Sequence, residues 1–220
     1  MKNSSNKKKS FFLLIGVMMM GAVMRVPFTA IPAVLTDIAA GLGVSVSDLG
    51  ILTSLPLVMF ALCSSLAPGW AARLGLEKLL GLALLVMTAG SLLRIVGVAG
   101  LFLGTILIGI SVAIINVLLP SLVSVHFPLK VGLYTTVYIT MMGLAGTVGS
   151  MVAVPIVEAS SWQTFVILLT LFVGLAALIW LPNWRYNHRF EQSSKTTKQG
   201  SLLKNKAALI FGSLSTVVGR

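Results

Sequence analysis

Acidic side chains are scarce in this sequence: Asp and Glu together number 5 in 220 residues, against 16 Lys and Arg. Only 10% of the residues are charged and 57% are hydrophobic, too little polar surface for a water-soluble domain of this length. Cysteine is nearly missing too. The single Cys63, set in an apolar run, supports neither a disulfide framework nor a thiolate metal site. Histidine is limited to His126 and His188, each alone in a basic, loop-like context and read as solvated rather than as a ligand. Zinc spacings, phosphate-binding glycine loops and nucleophile motifs do not occur, so neither a metal, a cofactor nor an enzyme activity is expected. A net charge of +11 would suit a nucleic-acid binder, yet the basic residues sit between long apolar runs and are not interleaved with aromatics on one face. No nucleic-acid partner is expected.

Long apolar runs are what the chain does have, and its mean hydropathy is +1.01. A hydrocarbon core of about 30 Å needs roughly 20 apolar residues per helix. Six runs meet that length: 11–35, 49–72, 79–98, 101–125, 131–157 and 162–182. Trp162, Trp180 and Trp184 lie near the ends of the sixth, where amphipathic rings favour the headgroup level. The fold class expected is therefore an all-α membrane protein, with the lipid bilayer as its first partner. Residues 1–10 form a basic amino-terminal segment, 11–184 a six-helix bundle, and 185–206 a polar tail. Residues 207–220 begin a seventh apolar run that is too short to cross alone. Without a small-residue cleavage site before Arg25, the first run reads as an uncleaved helix rather than a signal peptide.

Basic residues set the orientation. With the amino terminus inside, Lys2, Lys7, Lys8, Lys9, Arg73, Lys78, Lys130, Arg185 and Arg189 all fall on the inner side, while the outer loops carry Asp37, Asp48 and Glu158. This asymmetry is the positive-inside pattern, and it predicts a multi-pass plasma-membrane protein with a cytoplasmic amino terminus.

Polar groups within the spans mark the candidate site, because a charge there is costly and usually faces a bundle interior or a wet cavity. Arg25 stands deep in the first run, and Thr29 and Pro32 follow on the same helical face. Two readings stand. The guanidinium either reaches headgroups or the backbone oxygens that Pro27 and Pro32 leave free, or it binds an anionic or dipolar solute with Thr29 as hydroxyl partner. Asn116 in the fourth run, one turn before Pro120, is either an interhelical hydrogen bond or a second solute contact. Arg94 lies near the outer end of the third run and is expected to snorkel to the headgroups. In the fifth run, Tyr138 is a candidate cavity-lining residue, and Gly143, Gly146 and Gly149 are candidates for close helix packing.

The stretch "PGWAARLGLEKLL" resembles the cytoplasmic loop motif of major facilitator superfamily transporters, with Arg73, Gly75 and Lys78 matching. Ala72 stands where that motif has an acid and Glu77 where it has a base; Thr147 replaces the proline of the fifth-span motif beside Gly146 and Gly149. More specifically, "MRVPFTAIPAVL" and "GISVAIINVLLPSLVSVHFPLKVGLYTTVY" are similar to the cyanate and nitroimidazole transporter branch, through Arg25, Pro27, Thr29, Asn116, Val117, Pro120, Phe127 and Pro128. "AGSLLRIVG", with Arg94, also fits. The resemblance implies the amino-terminal half of such a transporter: six helices as two inverted three-helix repeats, a small anionic or polar organic solute, and alternating access. A second copy, or a carboxyl-terminal half, is then the expected partner. The competing expectation is a small non-transporting membrane protein that partners a full-length permease.

Overall fold

A computed structural model describes the backbone of residues 2–185 and the side chains of residues 13–184. The expected tail beyond Arg185, the apolar run at 207–220 and the side chains of the basic amino-terminal segment lie outside the described residues. Regular structure among the described residues is helical throughout. Its elements are α1 (Lys2–Ala33), α2 (Leu35–Leu42), α3 (Val46–Leu49), α4 (Ile51–Ser64), α5 (Ala67–Leu74), α6 (Leu76–Leu93), α7 (Val98–His126), α8 (Val131–Ala159) and α9 (Trp162–Trp180), followed by a 3-10 turn at Leu181–Arg185.

Six stretches are long and apolar enough to cross a bilayer: Leu13–Ala33, Val46–Ser64, Leu76–Leu93, Val98–His126, Val131–Ala159 and Trp162–Trp184. They coincide with the six expected runs, apart from shifts at the ends. The second differs most. Its expected range, 49–72, is broken after Ser64, because Pro68 has no N–H to continue the ladder and instead sits in the first turn of α5. Gly75, at φ 90°, then separates α5 from α6, and Gly97, at φ 106°, separates α6 from α7. A side chain would resist both conformations. At the start of α9, Ser161 Oγ accepts the Thr164 N–H at 3.3 Å, satisfying one of the orphan donors of a helix start.

The helix neighbours follow a pattern. α1 lies along α8, and α4 lies along α7; α6 packs on α7 and α9, while α1 packs on α9 and meets α7. Exchanging α1 with α7, α4 with α8 and α6 with α9 reproduces each of these pairings, although α8 also touches α9 without an α4–α6 counterpart of that size. The first three spans and the last three are therefore two repeats. They run in opposite directions because each contains an odd number of crossings. The core lies between α1, α6, α7 and α9 around Met20, Leu84, Ile115, Leu118 and Trp180, with a second cluster around Val26, Ile38, Leu49, Leu101 and Trp162. α4 and α8 stay largely uncovered on their outer sides.

Arg94 corrects the sequence-based expectation. It does not extend to headgroups but is buried at 2% exposure between α6 and α7. Its Nε and Nη2 donate to Thr105 Oγ1 at 3.2 and 3.0 Å, and the Thr105 hydroxyl donates to Leu101 O at 2.7 Å. Gly104 makes the space: a methyl group there would stand 2.9 Å from Arg94 Cγ.

Candidate solute site

Arg25 sits where α1 and α8 approach most closely. A methyl at Gly21 would come within 2.6 Å of Tyr138 O, one at Gly146 within 2.6 Å of Arg25 Cγ, and one at Gly149 within 2.8 Å of Val26 Cγ1. The Arg25 stem thus rests on the bare backbone of Gly146, while the residue as a whole is exposed. Thr29 locks the seam. Its hydroxyl is 3.3 Å from Arg25 O and 3.2 Å from Gly146 O, so it donates between the two helices. From α8, Ser150 Oγ reaches back to Thr29 O at 3.1 Å and to Gly146 O at 3.0 Å. These bonds spend the hydroxyl protons on carbonyls and hold the backbone beneath Arg25.

The guanidinium itself takes part in none of this. Among the described residues, no hydrogen bond or ion pair engages it. It does not cap the carbonyls of Val23 and Phe28, which Pro27 and Pro32 deprive of their helical donors. Asn116 is exposed on α7, the repeat partner of α1, and its amide likewise has no partner among the described residues. Asn116 and Arg25 are not bonded to each other. The two helices thus carry a planar five-donor cation on α1 and a separate amide on α7, both exposed and with capacity unspent among the described residues.

Tyr138 is placed differently. It is buried at 6% exposure in the core against α1, rather than exposed as Arg25 and Asn116 are. Gly143 is corrected as well: Gly146 and Gly149 face α1, but nothing lies within 4 Å of a methyl placed at Gly143. In the loop motif, Arg73 and Lys78 are exposed and Gly75 is the buried hinge between α5 and α6. Two features escaped the sequence reading. Ser150 carries a visible signal, its spacing of four residues from Gly146. Glu77 and His126 carry none, being far apart in sequence. Glu77 is fully buried, and its Oε1 lies 3.3 Å from His126 Nε2, so His126 is not the solvated side chain expected.

A family model described as Major Facilitator Superfamily matches residues 11–219. The chain is 38% identical over 199 residues to an uncharacterized transporter, YycB, of Bacillus subtilis (strain 168), covering 89% of this chain and 50% of that protein. It is also 38% identical over 184 residues to the 2-nitroimidazole transporter of Escherichia coli (strain K12), covering 83% of this chain and 47% of that protein. The chain therefore spans about half the length of these relatives. In fold it is similar to a peptide transporter, POT, crystallised in complex with sulfate: TM-score 0.67 and 15% identity, over 94% of this chain and 46% of that one. Two inverted three-helix repeats, six spans and relatives named as transporters agree on one conclusion: this chain belongs to the major facilitator superfamily.

Proposed function

We propose that this chain supplies a solute-binding half of a secondary transporter, and that Arg25 and Asn116, with Thr29 bracing the backbone, take a small anionic or strongly polar organic solute by alternating access. The observation that carries the reading is the Arg25 guanidinium, exposed at the centre of the α1–α8 seam with no protein acceptor among the described residues. An arginine held in that state by a braced backbone is matched to a planar pair of oxygens. A nitro group, as in the solute of the Escherichia coli relative's name, offers such a pair, as does a carboxylate. Movement would come from this six-helix unit rocking against a second six-helix unit. The basic end of the bundle, with Arg73, Lys78 and Lys130, would face the cytoplasm across the plasma membrane.

The test is saturable binding and uptake of 2-nitroimidazole and of small carboxylates in proteoliposomes. Losing one charge-assisted contact costs about 1.5–3 kcal/mol, so Arg25→Gln should weaken affinity on the order of ten- to a hundredfold. Arg25→Lys should fall between, since it keeps charge but loses the fork. Unchanged affinity in Arg25→Gln together with a lower melting temperature would instead make Arg25 a structural residue.

A further inference from the structure

We propose that the groove between α6 and α9 holds one acyl chain of an anionic phospholipid from the leaflet at the basic end of the bundle, with Lys78 taking the phosphate. The two helices run antiparallel here. Trp180 lies against Gly81, and a methyl at Gly174 would stand 3.6 Å from Thr88 Cγ2. Lacking that methyl, Gly174 leaves a hollow beside Thr88. It belongs to a groove of about 490 Å³ whose walls include Leu85, Thr88, Thr170, Gly174, Leu178 and Leu181, a volume within the range of small-molecule sites. The two hydroxyls in it are already satisfied: Thr88 donates to Leu84 O and Thr170 to Val166 O, each at 2.8 Å. Neither calls for a polar partner in the groove, so its occupant is apolar.

Length and position select a lipid chain of one leaflet. From Thr170 to Leu181 the groove follows α9 for about 16 Å, at 1.5 Å per residue. A leaflet is half of a hydrocarbon core of about 30 Å, so the groove has the depth of one acyl layer. Leu181 stands near the close of the span Trp162–Trp184, which places the groove in the half of that span nearer the basic end. There Trp184, half-buried beside Gly81, marks the headgroup level, where amphipathic rings settle. Charge complementarity completes the argument. Lys78, Leu82 and Leu85 follow at spacings of four and three, on one face of α6, and all three are exposed. Lys78 thus stands about two turns beyond Leu85, on the headgroup side of the groove. The neighbouring acid, Glu77, is fully buried and presents no charge to that face. Neither Arg25 nor Asn116 takes part in this site, which stands apart from solute binding.

The test places the full chain in phosphatidylcholine nanodiscs with a trace of phosphatidylglycerol or phosphatidylcholine bearing a photoreactive diazirine on one acyl chain. Cross-links mapped by peptide mass spectrometry should concentrate at Leu85, Leu178 and Leu181, above Leu57 of α4 and Leu144 of α8, which are equally open to lipid. The phosphatidylglycerol probe should label the groove about fivefold more than the phosphatidylcholine probe, since a Lys near the surface contributes about 1 kcal/mol toward an anionic lipid. Lys78→Gln should bring that ratio close to one, and Gly174→Leu, by filling the groove, should cut labelling by both probes. Even labelling of all exposed leucines is ordinary bilayer contact and overturns the site, as does a ratio that Lys78→Gln leaves unchanged. Should Gly174→Leu fail to fold, the Lys78→Gln ratio decides alone. Loss of groove labelling when discs hold two chains instead of one also overturns the proposal, because a second copy then covers the groove.

Discussion

Arg25 and Arg94 both lie in or beside the spans, and side-chain partners separate their roles. Arg94 is buried and directs two donors at one hydroxyl, that of Thr105, which passes its own proton to Leu101 O. Removing that hydroxyl strands a buried guanidinium, at a cost of about 1.5–3 kcal/mol. Thr105→Val should therefore lower the melting temperature in detergent. Arg94→Lys should lower it too, because a single ammonium cannot replace two donors of fixed geometry. Neither change should alter the affinity for a solute at Arg25. Full stability in Thr105→Val would mean that Arg94 finds another acceptor and that the Thr105 bond is incidental. Arg25→Gln should behave oppositely, leaving melting unchanged and affecting solute binding. The sequence identified both arginines as exceptional but left two settings open for Arg25 and put Arg94 at the headgroups, where the structure buries it. Depth along a span can be counted from residues, whereas the side of the helix that meets a neighbour cannot.

At the scale of elements, the spans were legible because long apolar runs have few alternatives to crossing a bilayer. Two details were not. Hydropathy carried the second span through to residue 72, whereas the backbone obeys Pro68 and begins a new helix at Ala67. The glycine row of α8 looked like one groove, yet successive steps of three residues each rotate about 60° around a helix with 3.6 residues per turn. Gly143 is therefore turned about 120° from Gly149 and faces open space. This separates the consequences of one substitution made at two positions. Gly146→Ala drives a methyl into the Arg25 stem and pushes α8 away from Thr29, so both melting temperature and solute affinity should fall. Gly143→Ala meets nothing and gains helix propensity of about 0.8–1.0 kcal/mol, so melting should hold or rise. Equal losses at both positions would mean that α8 has a partner on its open side.

On the scale of the whole molecule, the repeat relation lies in which helices touch, and no residue pattern in the chain displays it. Charge, by contrast, was legible from the start because water rather than packing decides where it can go. The structure gathers Asp37, Asp48 and Glu158 in exposed positions at the end where α1 and α8 finish, and Arg73, Lys78 and Lys130 at the other. Among the described residues, Glu77 is the acid at the basic end, and its burial against His126 removes it from that surface. Insertion machinery reads Lys and Arg near span ends and gives acids little weight, so the basic end should stay inside. In a Cys63→Ser background, a cysteine at Ser160, in the exposed turn between α8 and α9, should react with an impermeant thiol reagent added to intact cells. A cysteine at Leu129, which is 97% exposed in the α7–α8 turn, should react only after the membrane is opened. Both positions are open in the structure, so a difference between them reports sidedness rather than burial. Reaction of both from outside would mean that α8 does not cross, and the inverted pairing of α1–α8 with α7–α4 would fail with it.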